Sequence, residues 1–175
     1  MIPHQTVNAV LAGIEEGAAA RCLADLVRFP TVNPPGDEGR LAAHVAERLE
    51  VLGFSVEMEE VLPGRPNVVA RLPGRTGSPT VLFNTHMDVV APGAGWTRDP
   101  FAAEVEGGRL YGRGALDAKG SLAGFLLAAA ALARLAGDHV PVGAADGAVK
   151  AQRSTRAPGV LHRPVLAGAL HPGLQ

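Results

Sequence analysis

Apolar positions along the chain recur first with helical and then with strand periodicity, and this alternation predicts an α/β fold. Residues from about 6 to 29 are dominated by helix formers, and Pro30 and the turn-rich Asn33-Pro-Pro-Gly-Asp37 end the run. A second helix is predicted from about 38 to 52, where Leu41, Val45, Leu49 and Leu52 recur at i, i+4, i+8 and i+11 and Gly53 stands at C′. Phe54, Val56 and Met58 then alternate with Ser55, Glu57 and Glu59, the pattern of a half-buried strand. Residues 67–72 and 80–84 read as two further strands, with a Pro73-Gly-Arg-Thr-Gly77 turn between them. Gly107-Gly108 sits between short strand-like pieces at 103–106 and 109–111 and predicts a hairpin. An Ala-rich apolar run predicts a last helix from about 121 to 135.

Beyond about Gly137 this regularity ends. Apolar residues continue, but over 140–175 they show neither period 2 nor period 3.6, and Gly, Pro, Ala and Arg punctuate them. A long structureless segment is foreign to a compact domain, so residues 138–175 are expected to be a disordered or non-native tail following an ordered unit at 1–137.

Length and composition narrow the function classes. At 175 residues the chain is one ordinary domain or most of one. With 47% hydrophobic residues, 19% charged residues and a net charge of −1, it has neither the composition of a disordered protein nor the basic footprint of a nucleic-acid binder. Cys22 is the only cysteine, which excludes a disulfide framework and a thiolate cluster and suits a buried structural thiol. His4, Glu15 and Glu16 stand where a signal peptide would need a basic start and an apolar run, so a cytoplasmic protein is expected. The longest apolar stretch, residues 122–132, is too short to cross a bilayer, so no membrane partner is expected.

Candidate chemistry gathers at two places. The strand-like Pro79-Thr-Val-Leu-Phe-Asn-Thr-His-Met-Asp88 ends in His86 and, two positions on, Asp88. Asp117 lies in Gly112-Arg-Gly-Ala-Leu-Asp-Ala-Lys-Gly120, just before the last helix. Imidazole with carboxylate suits zinc, cobalt or manganese rather than copper(I) or an iron–sulfur cluster. In open α/β sheets, ligands bind beyond the carboxyl ends of strands, where His86 is expected. Asp88 can orient that imidazole by accepting its second N–H, while Asp117 suits either a helix N-terminus or a metal-bridging role. The glycines around Arg113 do not form a phosphate loop, because Lys119 precedes Gly120 and Asp117 stands where a dinucleotide fingerprint needs glycine. They more simply let the backbone turn sharply toward a metal. Arg113 and Lys119 are candidates for anionic-substrate contacts, or for solvated or structural roles.

These pieces together resemble the N-terminal half of the catalytic domain in the M20 family of metallopeptidases and amidohydrolases. The family includes acetylornithine deacetylase, succinyl-diaminopimelate desuccinylase and carboxypeptidase G2. The matching segments are Asp25-Leu-Val-Arg-Phe-Pro-Thr-Val-Asn-Pro-Pro-Gly36, Thr85-His-Met-Asp-Val-Val90, Gly95-Trp-Thr-Arg-Asp-Pro-Phe101 and Gly108-Arg-Leu-Tyr-Gly-Arg-Gly-Ala-Leu-Asp-Ala-Lys-Gly120. The resemblance implies a three-layer helix-sheet-helix, zinc-peptidase-like catalytic domain with a mixed sheet, present here in part. It implies His86 as ligand to one ion, Asp117 as a bridge between two, and Asp88 as the catalytic residue that holds His86 in its ligating tautomer. The cofactor would be two Zn2+ ions, with Co2+ or Mn2+ as alternatives. The substrate would be an N-acyl amino acid or small peptide cleaved at its amide bond.

The family pattern also requires a Glu-Glu pair downstream, one glutamate as general base and one as ligand, and a late histidine. No glutamate follows Glu106, and His139, His162 and His171 lie in the aperiodic segment. The inserted lid or dimerisation domain is absent, so the homodimer that the resemblance makes possible for complete members is not expected here. Truncation or a change of reading frame near residues 137–145 would account for the departure. The expectation is an amidohydrolase by descent that is inactive as this polypeptide alone. The alternative is a non-catalytic remnant that binds a metal or a partner weakly.

Overall fold

The computed structural model describes residues 8, 10–74, 80–137 and 146–152. Its first full helix, α1 (Ala18–Val27), is shorter than the run of helix formers at 6–29 predicts. Gly17 has φ +73°, a left-handed conformation that glycine adopts without strain, and the chain bends there before α1 begins. Helix α2 (Gly39–Val51) follows the predicted periodicity, with Leu41, Ala42, Val45, Ala46 and Leu49 buried along one face. Gly53, at φ +87°, stops it. The Ala-rich run forms α3 (Lys119–Gly137), whose buried stripe contains Leu122, Ala123, Leu126 and Ala129. Among the described residues no helix is long and apolar enough to cross a membrane.

The described residues contain six strands, in chain order β1 (Ser55–Leu62), β2 (Arg65–Leu72), β3 (Thr80–His86), β4 (Glu104–Glu106), β5 (Arg109–Tyr111) and β6 (Asp146–Gln152). Strands β4 and β5 form the predicted hairpin, with positive φ at Gly107 and Gly108 making its turn. The other four make a mixed sheet in the order β1-β2-β6-β3, antiparallel except for the β3–β6 pair. Strand β6 arises in a stretch whose lack of period predicted no element. A strand flanked on both sides draws its order from two backbone ladders and needs no amphipathic pattern of its own. The tail predicted at 138–175 otherwise lies outside the described residues, as do the turn at 75–79 and His139, His162 and His171.

The core forms on one face of the sheet. Residues of α1, α2 and α3 join Val68 and Ala70 of β2 in a single buried cluster, with Val56, Leu72 and Phe83 packed against it. Phe83 meets Phe125 of α3 at a centroid distance of 5.0 Å. The opposite face carries polar and exposed groups, among them the Arg71–Glu57 ion pair at 2.9 Å and Leu82. A second helical layer, as the three-layer expectation requires, is not found among the described residues. Cys22 is buried in the core cluster, and that burial pushes its thiol pKa up.

The one-sided core makes a sharp contrast between two positions of α2. Leu41 is 0% exposed and Val51 is 83% exposed. In urea denaturation, Leu41→Ala should lower stability by about 2–5 kcal/mol, and Val51→Ala should change it by no more than about 0.5 kcal/mol. Equal losses at the two positions would contradict this core.

Candidate metal centre

His86 is the last residue of β3, at the carboxyl end of the parallel β3–β6 pair. The chain leaves the ladder there and is gripped by the segment that follows α1. Thr31 Oγ1 donates to Met87 O at 2.6 Å, Val89 N to Thr31 O at 2.9 Å, and Asn33 N to Val89 O at 2.8 Å. Met87 is fully buried and Asp88 is 4% exposed, so the turn after β3 is a fixed part of the core rather than a mobile loop end.

Asp117 reaches the same place from the loop between β5 and α3. Two glycines allow the loop to lie close: a Cβ at Gly112 would overlap Val27, and one at Gly114, which has φ +85°, would overlap Val89. Lys119 anchors the start of α3. Its side chain is 0% exposed, and Nζ donates to Phe29 O, near the end of α1, at 2.5 Å. Burial pulls that ammonium down from 10.5 to about 8. Of the roles open to it in the sequence, a buried lysine tied to a backbone carbonyl takes the structural one. Arg113 is committed as well: Nη2 donates to Pro92 O at 2.9 Å, and the guanidinium lies 5.5 Å from the Trp96 ring centroid.

The three residues singled out by the sequence meet. His86 Nδ1 lies 3.0 Å from the backbone O of Asp88 and 3.3 Å from its carboxylate Oδ1. His86 Nε2 lies 2.9 Å from Asp117 Oδ1. Both neighbours of Nδ1 are acceptors, so Nδ1 carries hydrogen and donates. Nε2 is left to face the Asp117 carboxylate, which is 86% exposed. The imidazole pKa is pushed up from 6.5 to about 9, chiefly by the hydrogen bond with Asp88 and, against the cost of burial, by that with Asp117. A raised histidine pKa stabilises the fold fully below pH 6.5, and this contribution fades as pH rises through about 9.

An exposed carboxylate opposite the free face of an imidazole, whose other nitrogen is held by an acceptor, is a donor set that fits a divalent cation. A cation at Nε2 would take the place of the proton that joins it to Asp117. The fit is to two protein ligands. Among the described residues, no group of three or more His, Cys, Asp or Glu side chains is arranged to hold a metal ion.

Three further residues bear on the site, and the sequence assigned none of them a role there. Asn33 Nδ2 donates to Asp88 Oδ2 at 2.8 Å. Arg65, which begins β2, makes a two-pronged pair with Glu38: Nη2–Oε1 at 2.5 Å and Nε–Oε2 at 2.7 Å. Asn33 read as a turn residue, Glu38 as the start of a helix, and Arg65 lay outside any motif.

Comparisons with known proteins place relatives along this same stretch of chain. The model of peptidase family M20/M25/M40 matches residues 82–144, a span that begins within β3 and includes His86, Asp88 and Asp117. A succinyl-diaminopimelate desuccinylase from Acidiphilium cryptum is 46% identical over 110 residues, 61% of this chain and 28% of that protein. Its namesake from a Methylobacterium species is 49% identical over 116 residues, 63% of this chain and again 28% of the relative. The chain therefore spans under a third of the length of these curated relatives. Among solved structures, an M20 family metallo-carboxypeptidase from Sulfolobus solfataricus superposes with a TM-score of 0.64 at 27% identity, covering 79% of this chain and 31% of that one. Human carnosine dipeptidase 1 gives 0.68 at 25% identity, covering 85% and 35%. Over the stretch that these comparisons align, the chain is similar to the M20 peptidase family.

Proposed function

We propose that residues 1–137 are the N-terminal half of the catalytic domain of a metal-dependent hydrolase that cleaves amide bonds in N-acyl amino acids or small peptides. The observation that carries this reading is the convergence of His86 Nε2 and Asp117 Oδ1 at 2.9 Å, with Asp88 on the far side of the ring. His86 and Asp117 would hold a divalent ion, zinc by the ligand chemistry, with cobalt or manganese as alternatives. Bound metal would supply Lewis-acid polarisation of the amide carbonyl and a water acidic enough to ionise near neutral pH. The chain's own part is positional. Asp88 accepts a hydrogen bond from Nδ1–H and would keep Nε2 turned toward the ion, and Lys119 and the two glycines hold the loop that presents Asp117. The curated relatives named for desuccinylation support an N-succinyl amide as substrate, and the carboxypeptidase and dipeptidase structures support a short peptide of the same bond type.

The same reading makes this polypeptide inactive on its own. No glutamate follows Glu106, so the base and adjacent ligand that the family resemblance implies downstream are not in these 175 residues. A second reading, a non-catalytic module that binds metal weakly, is favoured by the absence of a third metal donor among the described residues. The two readings share a site and differ in turnover.

Two outcomes follow. By calorimetry, the full chain should bind zinc or cobalt weakly, Asp88→Asn should weaken that binding by about 10–100-fold, and His86→Ala or Asp117→Ala should abolish it. Tight binding that survives both alanine substitutions would remove the site. With N-succinyl and N-acetyl amino acids as substrates and zinc or cobalt added, no turnover above the metal blank should appear, because a positioned base contributes about 10²–10⁴-fold. Strong metal-dependent hydrolysis that His86→Ala abolishes would overturn the inactive reading and place the base on another group, with Asp138 and Asp146 the first to substitute.

A further inference from the structure

The Glu38–Arg65 ion pair lies beneath the site and outside every motif that defined it. Both side chains are buried, Glu38 at 1% and Arg65 at 6% exposed. Glu38 occupies the N-cap position of α2, where a carboxylate normally accepts from the first backbone amides of the helix, yet it makes no such cap bond. It is turned instead onto the guanidinium. Gly36, at φ +90°, clears the space: a Cβ there would overlap Arg65. Taking two charges out of water is costly, and a buried pair often adds no net stability over apolar residues of similar size. An adhesive role between α2 and β2 therefore explains the pair poorly.

What the pair touches next is more informative. Arg65 Nη1 lies 3.4 Å from Asn33 Oδ1, and Arg65 Nη2 lies 3.9 Å from Asp88 Oδ2. Asn33 Nδ2 donates to that same Oδ2 at 2.8 Å, and Oδ1 of the carboxylate faces His86 Nδ1. One carboxylate oxygen is thus held by Asn33 and Arg65, which leaves the other aimed at the imidazole. The buried cluster contains one guanidinium and two carboxylates. Glu38 takes both strong prongs of Arg65, so the negative charge of Asp88 is directed at the histidine.

We propose that Glu38, Arg65 and Asn33 are positioning residues for the metal centre: the ion pair and the asparagine fix the rotamer of Asp88, and through it the orientation of the His86 ring. This inference rests on the reading of His86 as a ligand, but it concerns the ring itself and can be measured without metal.

The test uses the full chain and three variants. Asn33→Ala cuts the link to Asp88 and leaves the ion pair intact. Arg65→Met alone leaves Glu38 buried and unpaired and risks unfolding, so Glu38→Leu/Arg65→Met, which removes both charges together, serves in parallel. Circular dichroism reports folding, and the ¹⁵N resonances of the His86 ring report its hydrogen bonding in metal-free protein. The expectation is that Asn33→Ala and the double variant stay folded, shift the His86 ring resonances, and bind cobalt about 10–100-fold more weakly with an altered visible spectrum. Unchanged His86 resonances in both folded variants would overturn the inference, whether or not cobalt binds to the unsubstituted chain. Shifted resonances in variants of a chain that binds no cobalt would uphold the positioning role and remove the metal reading instead.

Discussion

One hydrogen-bonding constraint organises this molecule around its site: His86 Nδ1 has an oxygen acceptor on the backbone and another on the side chain of Asp88. The ring must then carry hydrogen at Nδ1, and Nε2 becomes the nitrogen available for coordination. Much of the surrounding architecture serves to keep Asp88 where it imposes this. Thr31, Val32 and Asn33 clamp the backbone on either side of it, and Asn33 holds its carboxylate. Burial at 4% exposure removes the competing water that would let the carboxylate rotate.

Asp117 is held by different means, through close packing. The loop that carries it lies against Val27 and Val89 at glycines 112 and 114, and Lys119 pins the following helix to the carbonyl of Phe29. Thr85 Oγ1 adds a long 3.5 Å contact to Ala118 O, joining the end of β3 to the start of α3 beside the site. A lysine at a helix N-terminus opposes the helix dipole, and its burial costs more still. Its placement makes physical sense as an anchor whose ammonium has a carbonyl within hydrogen-bond reach.

Elements with a local pattern were legible in the sequence, and those that depend on distant partners were not. The spacing of Leu41, Val45 and Leu49 and the glycine after it specify α2 almost to the residue, and Gly107-Gly108 specifies the hairpin. Composition alone overextended the first helix, because helix formers on both sides of Gly13 and Gly17 hide a break that depends on a left-handed backbone at Gly17. Strand β6 left no trace because its pairing partners, β2 and β3, supply its order. His86, Asp88 and Asp117 were readable because their spacing within short motifs reflects the chemistry directly. Glu38 and Arg65 are 27 positions apart, and Asn33 and Asp88 are 55 apart. Such contacts have no periodicity to read, and only the folded chain brings them together.

X-ray absorption at the zinc edge tests most directly whether His86 and Asp117 together hold a divalent ion. In the full chain loaded with one equivalent of zinc, the account predicts a first shell of nitrogen and oxygen at about 2.0–2.2 Å, with the multiple-scattering signature of one imidazole. That signature should vanish in His86→Ala, and the oxygen shell should change in Asp117→Ala. A first shell with no imidazole contribution, or one that persists unaltered in His86→Ala, would contradict the account.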